Sequence, residues 1–167
     1  EQRIAIHGAG AGGVGVARQI VAGLRRAGLS EREAWDRVMV LDSRGLIVEG
    51  REGLDAYKAE VAQPADRLEG WTFAGAAPDL LETVREGRIT ALIGLSGQRG
   101  AFGREVVEAV DRNTPAPIVF PLSNPTRASE ATPEDVLAWT DGRALVATGS
   151  PFPDVLRGGQ RSVVGQG

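Results

Sequence analysis

Residues 3–17 read Arg3-Ile4-Ala5-Ile6-His7-Gly8-Ala9-Gly10-Ala11-Gly12-Gly13-Val14-Gly15-Val16-Ala17. An apolar run of strand length is followed by a glycine turn, and then by Ala17, Ile20, Val21 and Leu24 at helical spacing. That stripe predicts a helix with one buried face. Gly8, Gly10 and Gly13 form Gly-x-Gly-x-x-Gly between the two elements. In that context the first glycine makes the tight turn, the second lets backbone approach a pyrophosphate, and the third lets helix pack on strand. The helix's first N–H groups then face the phosphates. Gly8, Ala9, Gly10, Ala11, Gly12 and Gly13 are therefore the expected phosphate loop. A merely flexible glycine loop is the alternative reading.

The same alternation runs down the chain. Strands are expected at Arg3–His7, Val38–Asp42, Thr90–Gly94, Ile118–Pro121 and Ala144–Thr148, with Trp71-Thr72-Phe73 a sixth candidate. Their continuous apolar character suits strands buried on both faces. Ser30-x-x-Glu33 and Thr132-x-x-Asp135 read as capping boxes, with Pro133 at a first helical position. Val106, Val107 and Val110 mark the buried face of a helix near 103–112. Residues 50–70 read as helix plus loop, and the Gly/Pro-rich tail after Pro151 as coil. Strand and helix in this order imply right-handed βαβ units. The expected fold is α/β, a Rossmann-type doubly wound, mainly parallel sheet with helices on both faces, and residues 1–167 form one such domain.

Composition narrows the function. The 167 residues carry a net charge of −3, which does not suggest nucleic acid or an anionic membrane as partner. No apolar run approaches the ~18 residues of a membrane span. With no cysteine and one histidine, His7, the chain alone builds neither a thiolate site nor a histidine cluster. Absence of cysteine fits a reducing cytoplasm, the expected location. The first strand begins almost at residue 1 and the end lacks a cap. We therefore expect a fragment of a longer protein, with an apolar face near residue 1 that a missing domain covers.

Ligands of open α/β sheets sit outside the carboxyl ends of the strands. After the strands come Gly8–Gly13, Asp42-Ser43-Arg44, Ser96-Gly97, Ser123-Asn124-Pro125 and Gly149-Ser150. Small and polar groups at five strand ends form one expected crevice. Asp42 stands where an acid accepts hydrogen bonds from the adenosine ribose. It lies further from the glycines than the usual ~20 residues, because a second helical piece, Glu31–Arg37, intervenes. A polar strand terminus is its alternative role.

Six blocks now resemble the cofactor-binding domain of malic enzymes: Gly8–Ala17, Leu41–Arg51, Ala91–Phe102, Ile118–Thr126, Ser129–Val136 and Thr140–Pro153. The resemblance implies oxidation of L-malate with NAD or NADP and a divalent metal, Mg or Mn. Oxaloacetate forms and loses CO2 to give the enolate of pyruvate, which is then protonated. By resemblance Ser96 and Gly97 line the nicotinamide side, and Asn124 contacts the nicotinamide ribose and the substrate. On its residues alone, Asn124-Pro125 reads as a turn. Arg99 and Arg127-Ala128 depart from the family pattern. The family's catalytic lysine and tyrosine and its three metal-binding carboxylates lie upstream of the glycine loop. No catalytic or metal-binding residue is therefore expected in this chain, and alone it should be inactive. A homo-oligomer, dimer or tetramer, is expected for the whole enzyme.

An NADP site needs positive charge at the 2′-phosphate. Arg44 and Lys58, the only lysine, supply candidates at Asp42-Ser43-Arg44 and beyond, which tilts the expectation to NADP over NAD. Solvated surface charges are the alternative. Two further readings stay open: a non-catalytic dinucleotide sensor, and the cofactor domain of another Rossmann dehydrogenase.

Overall fold

A computed structural model describes residues 2–162 and 164–167; Glu1 and Val163 lie outside them. The chain runs β1 (Ile4–His7), α1 (Ala11–Arg26), α2 (Glu31–Trp35), β2 (Val38–Asp42), β3 (Gly45–Leu46), α3 (Ala56–Ala59), α4 (Leu80–Glu86), β4 (Ala91–Gly94), α5 (Arg104–Asn113), β5 (Ile118–Pro121), α6 (Pro133–Trp139), β6 (Leu145–Thr148), β7 (Val155–Arg157), β8 (Gln160–Ser162) and β9 (Gly165–Gln166). Seven strands form one sheet in the order β3-β2-β1-β4-β5-β6-β9. All its pairs are parallel except β2 with β3. This is the Rossmann-type α/β sheet expected. Among the described residues, no helix is long and apolar enough to cross a membrane.

Each strand feeds two cores because successive side chains point to opposite faces. Ile4 and Ile6, Val38 and Val40, and Ala91 and Ile93 pack with Val14, Ala17 and Val21 of α1. Ala5, Met39 and Leu41, and Leu92, pack instead with Val84 of α4, Val106, Val107 and Val110 of α5, and Val136 and Leu137 of α6. Burying each such valine is worth about 1.5–3 kcal/mol. Helices thus cover both faces, and β1 lies mid-sheet with all four residues buried. Among the described residues, the expected apolar face near residue 1 is not exposed, because α1 covers Ile4 and Ile6 from within the chain.

Three local expectations change. Trp71-Thr72-Phe73 is not a strand among the described residues; Trp71 packs on the core, and its N–H bonds Leu68 O within a turn. The tail is not all coil: β7 and β8 form an antiparallel hairpin and β9 extends the sheet beside β6. At Thr132 the box is one-sided. Its Oγ1 accepts from Asp135 N at 3.1 Å, but the Asp135 carboxylate accepts from the Thr132 hydroxyl at 2.8 Å. The Ser30–Glu33 box closes in both directions.

Candidate functional site

From β1 the chain crosses to β2 on one side, and later strands build outward from β4 on the other. The carboxyl ends of β1 and β4 therefore flank the switch point where such sheets hold ligands. A cavity of about 320 Å³ opens there, lined by His7, Gly8, Ala9 and Gly10, by Asp42, Ser43, Tyr57 and Lys58, and by Leu95, Ser96 and Gln98.

The glycines fit tight backbone geometry. A Cβ on Gly8, whose φ is +124°, would lie 2.4 Å from the Leu95 carbonyl. One on Gly13 would lie 1.7 Å from the Gly8 carbonyl oxygen. Gly10, in contrast, faces open space, and it precedes α1 with no side-chain cap. The first turn, from Ala11 through Gly12 to Gly13, carries no acidic side chain. Its N–H groups thus have no carboxylate in their own turn and no side-chain cap from Gly10, which suits a phosphate cradle.

Asp42 ends β2 as the hub of a charge cluster. Its Oδ1 accepts from Arg44 N at 2.9 Å, and its Oδ2 accepts from Arg51 Nη2 at 2.5 Å. Lys58 Nζ lies 3.5 Å from Asp42 and 3.5 Å from Asp55. Burial pushes the Asp42 carboxyl up, but the Arg44 N–H, the Arg51 guanidinium and the Lys58 charge outweigh it and hold it below its ordinary value. The Arg44 guanidinium turns away, donating to Glu52 O at 3.3 Å and Gly53 O at 3.5 Å. Of the two cations expected at a 2′-phosphate, Lys58 lines the cavity and Arg44 does not. Arg51, unassigned by sequence reading, is the stronger partner of Asp42.

The remaining strand ends connect in series. Gly97 N donates to Ser123 Oγ at 2.8 Å, and Ser150 Oγ donates to Asn124 Oδ1 at 2.5 Å. The Asn124–Pro125 peptide is cis. Neither Gly97 nor Asn124 lines the cavity itself; Gly97 lies in the loop after β4, between Ser96 and Gln98, which do line it, and Asn124 lies in the next loop along the sheet edge, after β5.

Two buried groups went unassigned from sequence. His7 is 7% exposed, its Nδ1 has no hydrogen-bond partner among the described residues, and its ring lies tilted 6.2 Å from Phe102. Burial lowers its pKa, and Glu130 offsets part of the shift. Glu130 itself is wholly buried, accepting from both Ser96 and Ser123. His7 was visible as the residue before Gly8. Glu130 gave no local signal, because its partners lie 7 and 34 residues away. A larger cleft, about 530 Å³, is lined by Glu130 together with Arg99, Arg127, Trp139 and Phe152. Of the departures from the family pattern, Arg99 and Arg127 face it.

A family model described as "Malic enzyme, NAD binding domain" matches residues 1–167. The chain is 44% identical over 167 residues to the NAD-dependent malic enzyme of Pseudomonas savastanoi pv. phaseolicola, covering 99% of this chain and 30% of that protein. It is 45% identical over 166 residues to the NAD-dependent malic enzyme of Aeromonas hydrophila subsp. hydrophila, covering 99% and 29%. With that of Erwinia tasmaniensis it shares 44% over 155 residues, covering 93% and 27%. The chain thus spans about 30% of the length of these relatives.

Proposed function

The chain belongs to the malic enzyme family, as its NAD-binding domain, and from that premise we propose that the crevice between β1 and β4 binds NAD in preference to NADP. The carrying observation is the charge balance around Asp42. Arg51 and Lys58 meet the carboxylates of Asp42 and Asp55, and Arg44 is held on backbone carbonyls. Among the described residues, the one of these cations that lines the cavity, Lys58, is matched by carboxylates, and Arg44 points away onto neutral carbonyls, so no unmatched cation of this cluster faces a 2′-phosphate, which Asp42 would repel. A free 2′-hydroxyl can instead donate to the Asp42 carboxylate. The sequence-based tilt to NADP is therefore withdrawn in favour of NAD, in line with the names of the relatives.

In this reading the pyrophosphate lies on the uncapped N–H groups after Gly10. Ser43 borders the adenosine end, and Ser96 and Gly97 border the nicotinamide. Ser150 holds the Asn124 carboxamide by its oxygen, which leaves the Nδ2 donors for the nicotinamide ribose or the substrate. When bound, the nicotinamide supplies the hydride acceptor for L-malate. The full-length protein carries out oxidative decarboxylation to pyruvate and CO2, with its proton-transfer groups outside this chain. Among the described residues no group of three or more His, Cys, Asp or Glu converges to hold a metal. We place the ligands of the divalent metal in the part of the full-length protein upstream of the glycine loop, as the family resemblance implies. A cytoplasmic homo-oligomer completes the proposal.

The test is calorimetric titration of the full-length protein with NAD and NADP, followed by malate-dependent cofactor reduction. NAD should bind at least about tenfold tighter, the equivalent of ~1.4 kcal/mol. Asp42→Asn should narrow that gap by removing the charge that opposes the phosphate. Equal or tighter NADP binding overturns the NAD preference. Absence of malate-dependent reduction overturns the enzymatic reading.

A further inference from the structure

We infer that Glu130, seated under the crevice, is the positioning residue that sets the nicotinamide-side loop Ser96–Gln98. The inference rests on the crevice being an NAD site and adds a residue to which no role is yet assigned.

The carboxylate is 0% exposed. Its Oε1 accepts from Ser96 N at 2.9 Å, Ser96 Oγ at 3.0 Å and Ser123 Oγ at 2.5 Å, and its Oε2 from Ser123 N at 3.3 Å. No Lys or Arg pairs with it among the described residues. A buried acid is expensive unless hydrogen bonds satisfy it; here the donors come from the loops after β4 and β5. The two serines pass the constraint on. Ser123 Oγ accepts from Gly97 N at 2.8 Å, and Ser96 Oγ from Gln98 N at 3.1 Å. Three successive N–H groups, of Ser96, Gly97 and Gln98, are therefore tied to one carboxylate, directly or through one hydroxyl.

The backbone makes room for it. Gly94 ends β4, and a Cβ there would lie 2.5–2.8 Å from the Glu130 carboxyl and Cγ. The strand's last residue is thus small where the carboxylate presses against it. Glu130 is anchored in turn, its carbonyl accepting from Phe102 N at 3.0 Å. It never faces the ligand cavity, so it acts through Ser96 and Gly97.

Position along the sheet separates the two ends of the ligand. Asp42 and the glycine turn lie at β2 and β1, and the Glu130 network lies at β4 and β5. Loosening the network should weaken the nicotinamide end and leave the ADP-ribose end intact.

The experiment measures calorimetric Kd values of the full-length protein for NAD and ADP-ribose, in wild type, Glu130→Gln and Ser123→Ala, with thermal melts alongside. Glutamine keeps the shape but turns one acceptor into a donor facing Ser123 N–H or the hydroxyls. We expect the NAD Kd to rise about tenfold in both variants, the size of one lost charge-assisted hydrogen bond. ADP-ribose should stay within about twofold, a split that general destabilisation would not produce. An unchanged ratio of NAD to ADP-ribose affinity in Ser123→Ala, or parallel loss of both ligands, overturns the inference. If Glu130→Gln does not fold, Ser123→Ala decides alone. If wild type binds neither ligand, the NAD reading itself falls, a result distinct from an unchanged ratio.

Discussion

At the scale of the residue, His7 gives the sharpest consequence. It is the only histidine, and it is buried directly before the glycine turn. Burial disfavours the imidazolium and lowers the pKa, and the Glu130 charge opposes that shift without cancelling it. The folded state thus binds the proton less readily than the unfolded state. The stability His7 contributes is complete above its ordinary pKa, about 6.5, and is lost as pH falls from there through the lower folded value. No other side chain type present titrates near its ordinary value between about pH 7.5 and 5.5. Urea unfolding should therefore show the wild type losing stability across that window, and His7→Asn should flatten the dependence. An equal slope in both proteins would remove His7 from the account. Sequence reading used His7 only to exclude metal clusters and triads, because a lone histidine at a strand end carries no spacing signal. Gly8, Gly10 and Gly13 were legible because their chemistry is local: two of them answer backbone clashes and the third leaves space.

At the scale of the element, local signals succeeded where a whole turn or strand was regular. Val38–Asp42 and Ile118–Pro121 match the structure residue for residue, since runs of Val, Ile and Phe suit strands covered on both faces. The two-residue β3 was missed, because its pairing comes from the turn at Ser43–Arg44 folding Gly45 back on Asp42. The β7–β8 hairpin hid behind Gly158 and Gly159, read as coil but used as a turn with both φ values positive. Helix α4 was also missed, although Asp79-x-x-Glu82 has the same pattern as Ser30-x-x-Glu33. Asp79 accepts from Glu82 N at 2.8 Å, and Glu82 accepts from Asp79 N at 2.8 Å and Ala74 N at 2.8 Å. A cap of this kind is worth about 1 kcal/mol. The helix has only seven residues, so it depends on the cap and on Thr83 and Val84 in the core. Asp79→Ala should lower unfolding free energy by about 1 kcal/mol in denaturant titrations, with NAD affinity unchanged because α4 does not reach the crevice. A loss of NAD binding in that variant would mean that α4 is coupled to the site.

At the scale of the whole molecule, the two cores share one wall. Alternation in β1, β2 and β4 sends neighbouring residues to opposite faces, so neither layer can lose its helices without exposing the strands that the other layer needs. The tryptophans report on each side: Trp35 packs against the α1 face, and Trp71 and Trp139 against the α4–α6 face. Sequence alone could not assign them. Trp71 was read as strand, and its place follows from a turn that depends on tertiary packing. Because the sheet is common to both cores, urea should unfold the molecule in one transition. Tested with Trp35→Phe, which leaves the reporters on one face, and with the double Trp71→Phe/Trp139→Phe variant, which leaves the other, each fluorescence curve should coincide with loss of helical circular dichroism measured on the same variant. Distinct midpoints within one variant would mean that one layer melts first. The glycine turn and Glu130 would then be held by separately unfolding halves, since Val14 and Ala17 belong to one core while Phe102 and Ala131, which flank the Glu130 network, belong to the other.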